Sequence, residues 1–468
     1  MSMARKKKVK EDILITGIAD KGMGVGRDEE GMVYFVEGPV PGDVVDVLVL
    51  RKKSSYRKGV VQQYKELSPE RVEAKCKHFG ACGGCKWQNL DYSSQLKYKE
   101  QSVKDAFKRI AHIEAEDFQD IVGCDEIYAY RNKMEYSFSY RRWATREELD
   151  SGKDIDFGQA VGFHRAGSFD KVVQIDQCQL QDDLSNRLRN FVHAFALERN
   201  WTYYNSREHH GFLRNMRVRN TSLGEWMIVM IFGENKPDEI KEILEALKDE
   251  FPQLNSIQYI INTKMNDSVH DLDAIHYWGE KHITEALGHL KYNIGPKSFF
   301  QTNSKQALKL YELVRELADL KGHETVYDLY TGLGSIALFI AEHCKKVVGI
   351  EEIKEAINDA EANKQLNEID NAYFEVGDVR KEFNDSFRNK YGYAELIIVD
   401  PPRAGLQSEV CDTINQSGAD RVIYVSCNPS TQARDIVLMD NYAVKLLKPV
   451  DMFPHTHHIE NVALLERI

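Results

Sequence analysis

Val326-Tyr-Asp-Leu-Tyr-Thr-Gly-Leu-Gly-Ser335 carries the reading of the fold. An apolar-rich strand, Val326 to Tyr330, runs into a glycine turn and then into a helical pattern from Ile336 to Glu342. Gly332 and Gly334 let backbone approach a ligand at a helix N-terminus. Outward from there, strands and helices alternate at the interval of βα units, which predicts a doubly wound, largely parallel sheet. The second strand, Lys346 to Ile350, ends at Glu351, where an acid is placed to accept hydrogen bonds from ribose hydroxyls. The fourth, Leu396 onward, ends in Asp400-Pro-Pro-Arg403. The glycines alone are weak, since a dinucleotide pattern tolerates Ala337 at its third position. Asp328, ahead of the first glycine, fits an S-adenosylmethionine site better than a dehydrogenase. Arg403 stands where amine methyltransferases commonly place a stacking aromatic, which speaks against amine methylation.

The strand Val422 to Val425 stops at Asn428-Pro429. Cys427 therefore sits at a strand's carboxyl end, where ligands bind in such sheets. Free cysteines are commonly buried core residues. Here a polar turn follows, and Ser430-Thr431 reads as a helix start, whose N-terminus lowers a nearby thiol pKa. Cys427 is thus a candidate nucleophile.

The chain of 468 residues has room for about three domains. Its 42% hydrophobic and 29% charged residues suit a soluble globular protein. No apolar run reaches the roughly 18 residues of a membrane span, and the basic stretch Arg5 to Lys10 lacks the apolar segment of a secretory signal. A cytoplasmic protein without membrane or DNA partners, and a monomer, is the expectation. A net charge of −11 argues against non-specific nucleic-acid binding by the whole surface. Local basic patches remain.

From Ile13 to about Leu67, short β-rich runs broken by glycine and proline suggest a small OB-type barrel. Its third expected strand runs into Arg51-Lys-Lys-Ser-Ser-Tyr-Arg-Lys58, five cations around a tyrosine, suited to phosphate contact and base stacking. Cys76-x5-Cys82-Gly-Gly-Cys85 follows and reads as a metal site. Zinc would take His78 as fourth ligand; a [4Fe–4S] cluster would take a further thiolate, from Cys124 or Cys178. The spacing leaves both open. A helix from Tyr92 to Ile113 leads into a mixed α+β region with β runs at 130–140, 160–165, 227–232 and 257–262, helices near 182–198 and 237–249, and basic residues (Arg131, Lys133, Arg141, Arg142, Arg214 to Arg219) on polar strand faces.

In order along the chain, Cys76-x5-Cys82-Gly-Gly-Cys85, Phe299-Phe-Gln-Thr-Asn303, Asp328-Leu-Tyr-Thr-Gly-Leu-Gly334, Asp400-Pro-Pro-Arg-Ala-Gly405, Ser426-Cys-Asn-Pro429 and His458-Ile-Glu-Asn461 resemble the motifs of RNA uracil-5-methyltransferases, over nearly the whole length. The chain looks like the branch acting on 23S ribosomal RNA, with an N-terminal TRAM barrel and an iron–sulfur cluster. The resemblance implies three units: a TRAM/OB-like RNA-binding barrel (1–67), a central α+β domain with the cluster (68–290) and a Rossmann-like S-adenosylmethionine methyltransferase domain (291–468). It implies Cys427 as nucleophile and Glu460 as base, and Gln301, Tyr330, Glu351 and Asp400 as cofactor contacts. It makes Cys76, Cys82, Cys85 and Cys178 the ligands of a [4Fe–4S] cluster, leaving Cys124 out. The partner implied is 23S rRNA before full ribosome assembly. Without the motif, Glu460 would read as a strand-start acid. His455, His457 and His458 are loop residues, since the family holds no metal there. Thr331 and Ser335 depart from the family's common Cys and Asn. The rivals are the tRNA T-loop enzyme, whose branch usually lacks barrel and cluster, and a non-catalytic RNA-binding or assembly factor.

Overall fold

The computed structural model describes residues 8–113, 115, 117–165, 167–168 and 170–468. The basic residues 5–7 lie outside it. Strands Val9–Ala19, Met23–Arg27, Val33–Glu37, Val44–Lys52 and Tyr56–Glu66 close into a barrel, with the fifth strand between the third and fourth. Ile13, Ile15, Tyr34, Val36, Val45, Val47 and Val49 fill it. Met23–Arg27 was not expected as a strand because Gly24 and Gly26 read as punctuation. Gly26 is there for space: a Cβ would lie 2.5 Å from both Ile13 Cγ2 and the Leu14 carbonyl of the neighbouring strand. The basic stretch 51–58 is the hairpin joining the fourth and fifth strands.

The middle of the chain forms a seven-stranded sheet in the order Ile275–Gly279, Leu254–Ile261, Trp226–Phe232, Leu213–Asn220, Lys133–Ser139, Ala160–His164, Val172–Gln174. Among its pairs only Trp226–Phe232 with Leu254–Ile261 is parallel, the helix Pro237–Glu250 making the crossover. That helix and Asp183–Glu198 cover one face through Leu188, Val192, Ile243 and Leu247. On the other face Met227, Val229, Ile231 and Ile260 join a core shared with Leu310, Val314, Ile336 and Ile398.

The last third builds an eight-stranded sheet in the order Ala372–Val376, Lys346–Glu351, Thr325–Leu329, Leu396–Val399, Arg421–Ser426, Glu460–Arg467, Tyr442–Val450, Asp117–Phe118. The first five strands are parallel, and Glu460–Arg467 runs antiparallel to both its neighbours. The strand order reverses between Thr325–Leu329 and Leu396–Val399, which opens the ligand crevice at their carboxyl ends. The helix expected over Tyr92 to Ile113 is Tyr92–Ala106 followed by a π turn, Phe107–Ala111. Its Val103 and Phe107 pack with Tyr327, Val399 and Ile436, and Asp117–Phe118 pairs with Leu446 and Leu447. Tyr92–Ala111 and Asp117–Phe118 thus belong spatially with the C-terminal sheet, although they precede the middle sheet in the chain. None of the helices of the described residues is long and apolar enough to cross a membrane.

Candidate active site and cysteine cavity

The loop after Thr325–Leu329 turns back on itself: Tyr330, Gly332 and Gly334 all have positive φ, and the Tyr330 and Thr331 N–H groups both donate to the Ile350 carbonyl, at 3.0 and 3.1 Å. One oxygen of Glu351 accepts from the Gly332 N–H (3.1 Å) and the other from the Ile353 N–H (3.0 Å). Asp328 is buried; one of its oxygens accepts the Thr331 hydroxyl at 2.5 Å and the other has no partner. Burial pushes its carboxyl up to about 7, with the Glu351 charge adding. A Cβ at Gly332 would meet nothing within 4 Å. An unpartnered buried carboxylate oxygen beside an open glycine turn offers an acceptor and room that suit an adenosyl cofactor. Thr331 and Ser335 are employed elsewhere, Thr331 on Asp328 and the Ser335 hydroxyl on Tyr311 at 2.8 Å.

Ser426 pairs with Asn461 across the antiparallel strands, so Cys427 and Glu460 leave neighbouring strand ends together. Asn428 caps the helix Pro429–Val437, accepting from the Ser430 N–H at 3.1 Å, and its amide donates to the Arg403 carbonyl at 3.2 Å. That bond ties the Asp400-Pro-Pro-Arg403 turn to the nucleophile's turn. The Arg403 guanidinium lies 3.1 Å from His458 Nδ1. Glu460 is buried, and burial with the Asp400 charge holds its carboxyl well above the ordinary range, Arg403 opposing. Asp400 is pushed up to about 7 by burial and by Asp328. The expected lowering of the Cys427 thiol is not found: burial, then Glu460, raise it to about 11, against Arg403. A helix N-terminus is outweighed by desolvation and two carboxylates. Gln301 is nearly buried, its carbonyl accepting from the Asn132 amide at 3.0 Å.

Register and neighbouring charges bring Cys427, Glu460, Asp400 and Arg403 together, with Asp328 between Asp400 and Glu351, whereas the charges nearest Tyr330 are those of Asp378 and Arg380, and Gln301 is held by Asn132. Sequence reasoning missed Arg403 as a member, having used it only to exclude amine chemistry. It missed His458 likewise. Burial holds the His458 imidazole down near 3, hence neutral. His455 stacks on Tyr128 at 4.4 Å, and its Nδ1 faces the Gln95 amide at 3.2 Å. It is a loop anchor.

Cys76, Cys82, Cys85 and Cys178 line one cavity of about 300 Å³, with His78, Arg131, Lys133 and Thr456. Burial pushes the Cys82 and Cys85 thiols up to about 12, and the neighbouring cysteines add. Among the described residues, no three His, Cys, Asp or Glu side chains stand in an arrangement that holds a metal ion. His78, the alternative zinc ligand, spends Nε2 accepting the Asp176 N–H at 3.1 Å. Four thiols around one cavity are the ligand type of a cluster or a zinc ion, but as arranged they converge on neither. Cys124 lies apart, its thiol donating to the Asp451 carbonyl at 3.0 Å.

A family model described as tRNA (Uracil-5-)-methyltransferase matches residues 91–468, and one for the TRAM domain matches residues 8–61. An uncharacterized RNA methyltransferase of Bacteroides thetaiotaomicron is 46% identical over 453 residues, spanning 96% of this chain and 100% of that protein. Another, of Chlorobaculum tepidum, is 37% identical over 468 residues, 97% of this chain and 96% of its own. The crystal structure of Pyrococcus abyssi tRNA (uracil-54, C5)-methyltransferase in complex with S-adenosyl-L-homocysteine superimposes with a TM-score of 0.73 at 30% identity, covering 97% of this chain and 99% of that chain. Fold, site and likenesses define an S-adenosylmethionine-dependent RNA methyltransferase. More narrowly, the chain belongs to the RNA uracil-5-methyltransferase family, with a TRAM barrel at its N-terminal side. The tRNA T-loop branch was expected usually to lack the barrel and the cluster; the match to a tRNA enzyme over 97% of this chain leaves the barrel unable by itself to separate the two substrates.

Proposed function

We propose that this protein methylates C5 of a specific uridine in 23S ribosomal RNA, in the cytoplasm and before ribosome assembly is complete. The carrying observation is the Ser426–Asn461 register, which sets Cys427 beside Glu460 with Asp400 and Arg403 around them. Uracil C5 is a poor nucleophile until something adds at C6. The Cys427 thiolate adds there, and the electron pair moves to C5 and O4. Gln301, Tyr330, Glu351 and Asp400 would hold S-adenosylmethionine, which when bound would offer an electrophilic methyl to C5 and leave as S-adenosylhomocysteine. Glu460 then takes the C5 proton, the C5–C6 double bond reforms and thiolate leaves. The target base has to leave its stack to reach so buried a pair. In the same reading residues 1–67 bind RNA, 68–290 carry a structural [4Fe–4S] cluster on Cys76, Cys82, Cys85 and Cys178, and 291–468 perform the transfer.

The likeness to the Pyrococcus tRNA enzyme supports a second reading, methylation of tRNA. Labelled methyl transfer to unmodified 23S rRNA and, separately, unmodified tRNA decides between them, with the modified nucleotide mapped. 5-Methyluridine in rRNA is the expected result. Label in tRNA alone replaces the substrate, and label in neither overturns the catalytic reading.

A further inference from the structure

At one end of the pair Lys133–Ser139 and Leu213–Asn220, two cations face each other and are reached only by the more distant charges of Glu135 and Glu285. Strand register puts Lys133 opposite Arg219 and Glu135 opposite Arg217. The second pair is satisfied, with Arg217 Nε 2.8 Å from the Glu135 carboxylate. The first is not. Arg219 is 5% exposed and its Nη1 has no partner. Among the described residues neither Lys133 nor Arg219 makes an ion pair. The acid whose charge reaches Arg219 is Glu285. Its carboxylate already accepts from the Ser222 N–H (2.9 Å), the Ala286 N–H (3.1 Å), the Ser304 hydroxyl (2.5 Å) and the Ser222 hydroxyl. Like charges directly opposite on paired strands destabilise a sheet, and a buried guanidinium with an orphaned donor adds a desolvation cost. An anion from outside would remove both penalties.

The position says which anion. Asn132, next to Lys133, donates to the Gln301 carbonyl at 3.0 Å and to the Ser304 hydroxyl at 2.8 Å, and its carbonyl accepts from the Asn220 N–H at 2.9 Å. The two cations thus abut the segment that lines the cofactor crevice. Arg131 lies over the Phe453 ring at 5.7 Å, Phe453 is edge-on to His458 at 6.3 Å, and His458 meets Arg403. Lys133 also lines the cysteine cavity, whereas Arg219 does not. The charges acting on Cys178 are Arg189 and Arg131, and on Cys82 it is Lys86.

We propose that Lys133 and Arg219 form a phosphate site that holds the RNA backbone beside the nucleotide entering the active site. This deepens the reading under Proposed function and rests on it. Its test is RNA binding by the full chain, using an unmodified fragment around the mapped uridine, over a range of salt. Lys133→Gln and Arg219→Gln should each weaken binding by roughly tenfold and reduce the salt slope by about one, whatever the sequence. S-adenosylhomocysteine affinity and iron content should hold, and the melting temperature should stay or rise as the repulsion is relieved. Lys133 is half-buried, so its variant keeps the test open if the Arg219 variant misfolds. An unchanged slope overturns the site. A loss of S-adenosylhomocysteine binding with the slope intact makes the cofactor carboxylate the anion, and a loss of iron makes the cysteine cavity its client; either overturns it. Methyl transfer by the unaltered protein is read separately. Its absence with a reduced slope in the variants would sink the uridine reading and leave the phosphate site standing.

Discussion

Cys427 starts from the wrong protonation state. With the thiol raised to about 11 by burial, and by Glu460 after it, only a small part is thiolate near neutral pH. Attack needs thiolate and proton abstraction needs the Glu460 carboxylate, so both must be unprotonated in the productive complex. We expect kcat/KM to climb with pH from 6 to 9 as the thiolate fraction of Cys427 grows; a flat profile would show that this ionisation does not limit the reaction. Glu460→Gln should still add to C6 but cannot take the C5 proton, so a covalent RNA–protein species should accumulate on a denaturing gel while turnover falls by about 10³-fold. Cys427→Ala should give neither adduct nor turnover. Asp400 carries a stability consequence. Its carboxyl is raised from 3.8 to about 7, so the folded state holds a proton that the unfolded chain releases. The stabilisation is complete below pH 4 and is lost as pH rises through about 7. Asp400→Asn should therefore melt higher than the parent at pH 8, with the gap shrinking as pH falls and closing below about pH 4, while transfer is lost. Cys427 and Glu460 were legible because motifs name them. Arg403's part was not, since three separate segments deliver the charges around it.

The loop from Asp451 to Ile459 joins the two sites. Thr456 borders the cysteine cavity, His458 meets Arg403 and Glu460 follows directly. The loop is pinned from behind by the helix Tyr92–Ala106. Lys99 and Asp451, both fully buried, pair at 2.6 Å, Lys99 also donates to the Phe453 carbonyl at 3.0 Å, and the Tyr92 hydroxyl donates to Asp451 at 3.0 Å. Removing one partner of such a pair leaves a buried charge alone and typically costs about 3–5 kcal/mol. Lys99→Met should lower the melting temperature by several degrees, and Lys99→Met with Asp451→Leu should regain much of the loss. A double-variant loss equal to the sum of the two single-variant losses would mean the pair is not coupled. Nothing in the sequence announces a contact between residues so far apart. Periodicity did find the helices Asp183–Glu198 and Pro237–Glu250 and the parallel strands of the last third, where apolar spacing follows burial. It put Arg214 to Arg219 on a polar strand face, but in Leu213–Asn220 the Arg214, Asn215 and Arg219 side chains are buried by pairing and contacts rather than by apolarity.

Across the whole molecule the charge is net acidic, −11, yet the proposed substrate is a polyanion. Binding then has to come from local cations. The barrel hairpin is one such place: Lys52 pairs across the strands with Arg57 and Arg51 with Lys58, like charges that a folded hairpin tolerates because they stand at the solvent-facing tip. Repulsive pairs of this kind suit a surface whose counter-charge arrives with the ligand. Replacing Arg51, Lys52 and Lys53 by Gln should therefore weaken RNA binding at low salt and reduce the magnitude of the salt slope by up to about three. The maximal rate at saturating RNA should not change, because the hairpin belongs to the barrel and not to the crevice. The melting temperature should not fall, since exposed cations contribute little to stability. A slope equal to that of the parent would confine RNA recognition to the middle sheet and the methyltransferase domain. A fall in the maximal rate would mean that the barrel also orients the target uridine, and that affinity and chemistry are not divided between the domains in this way.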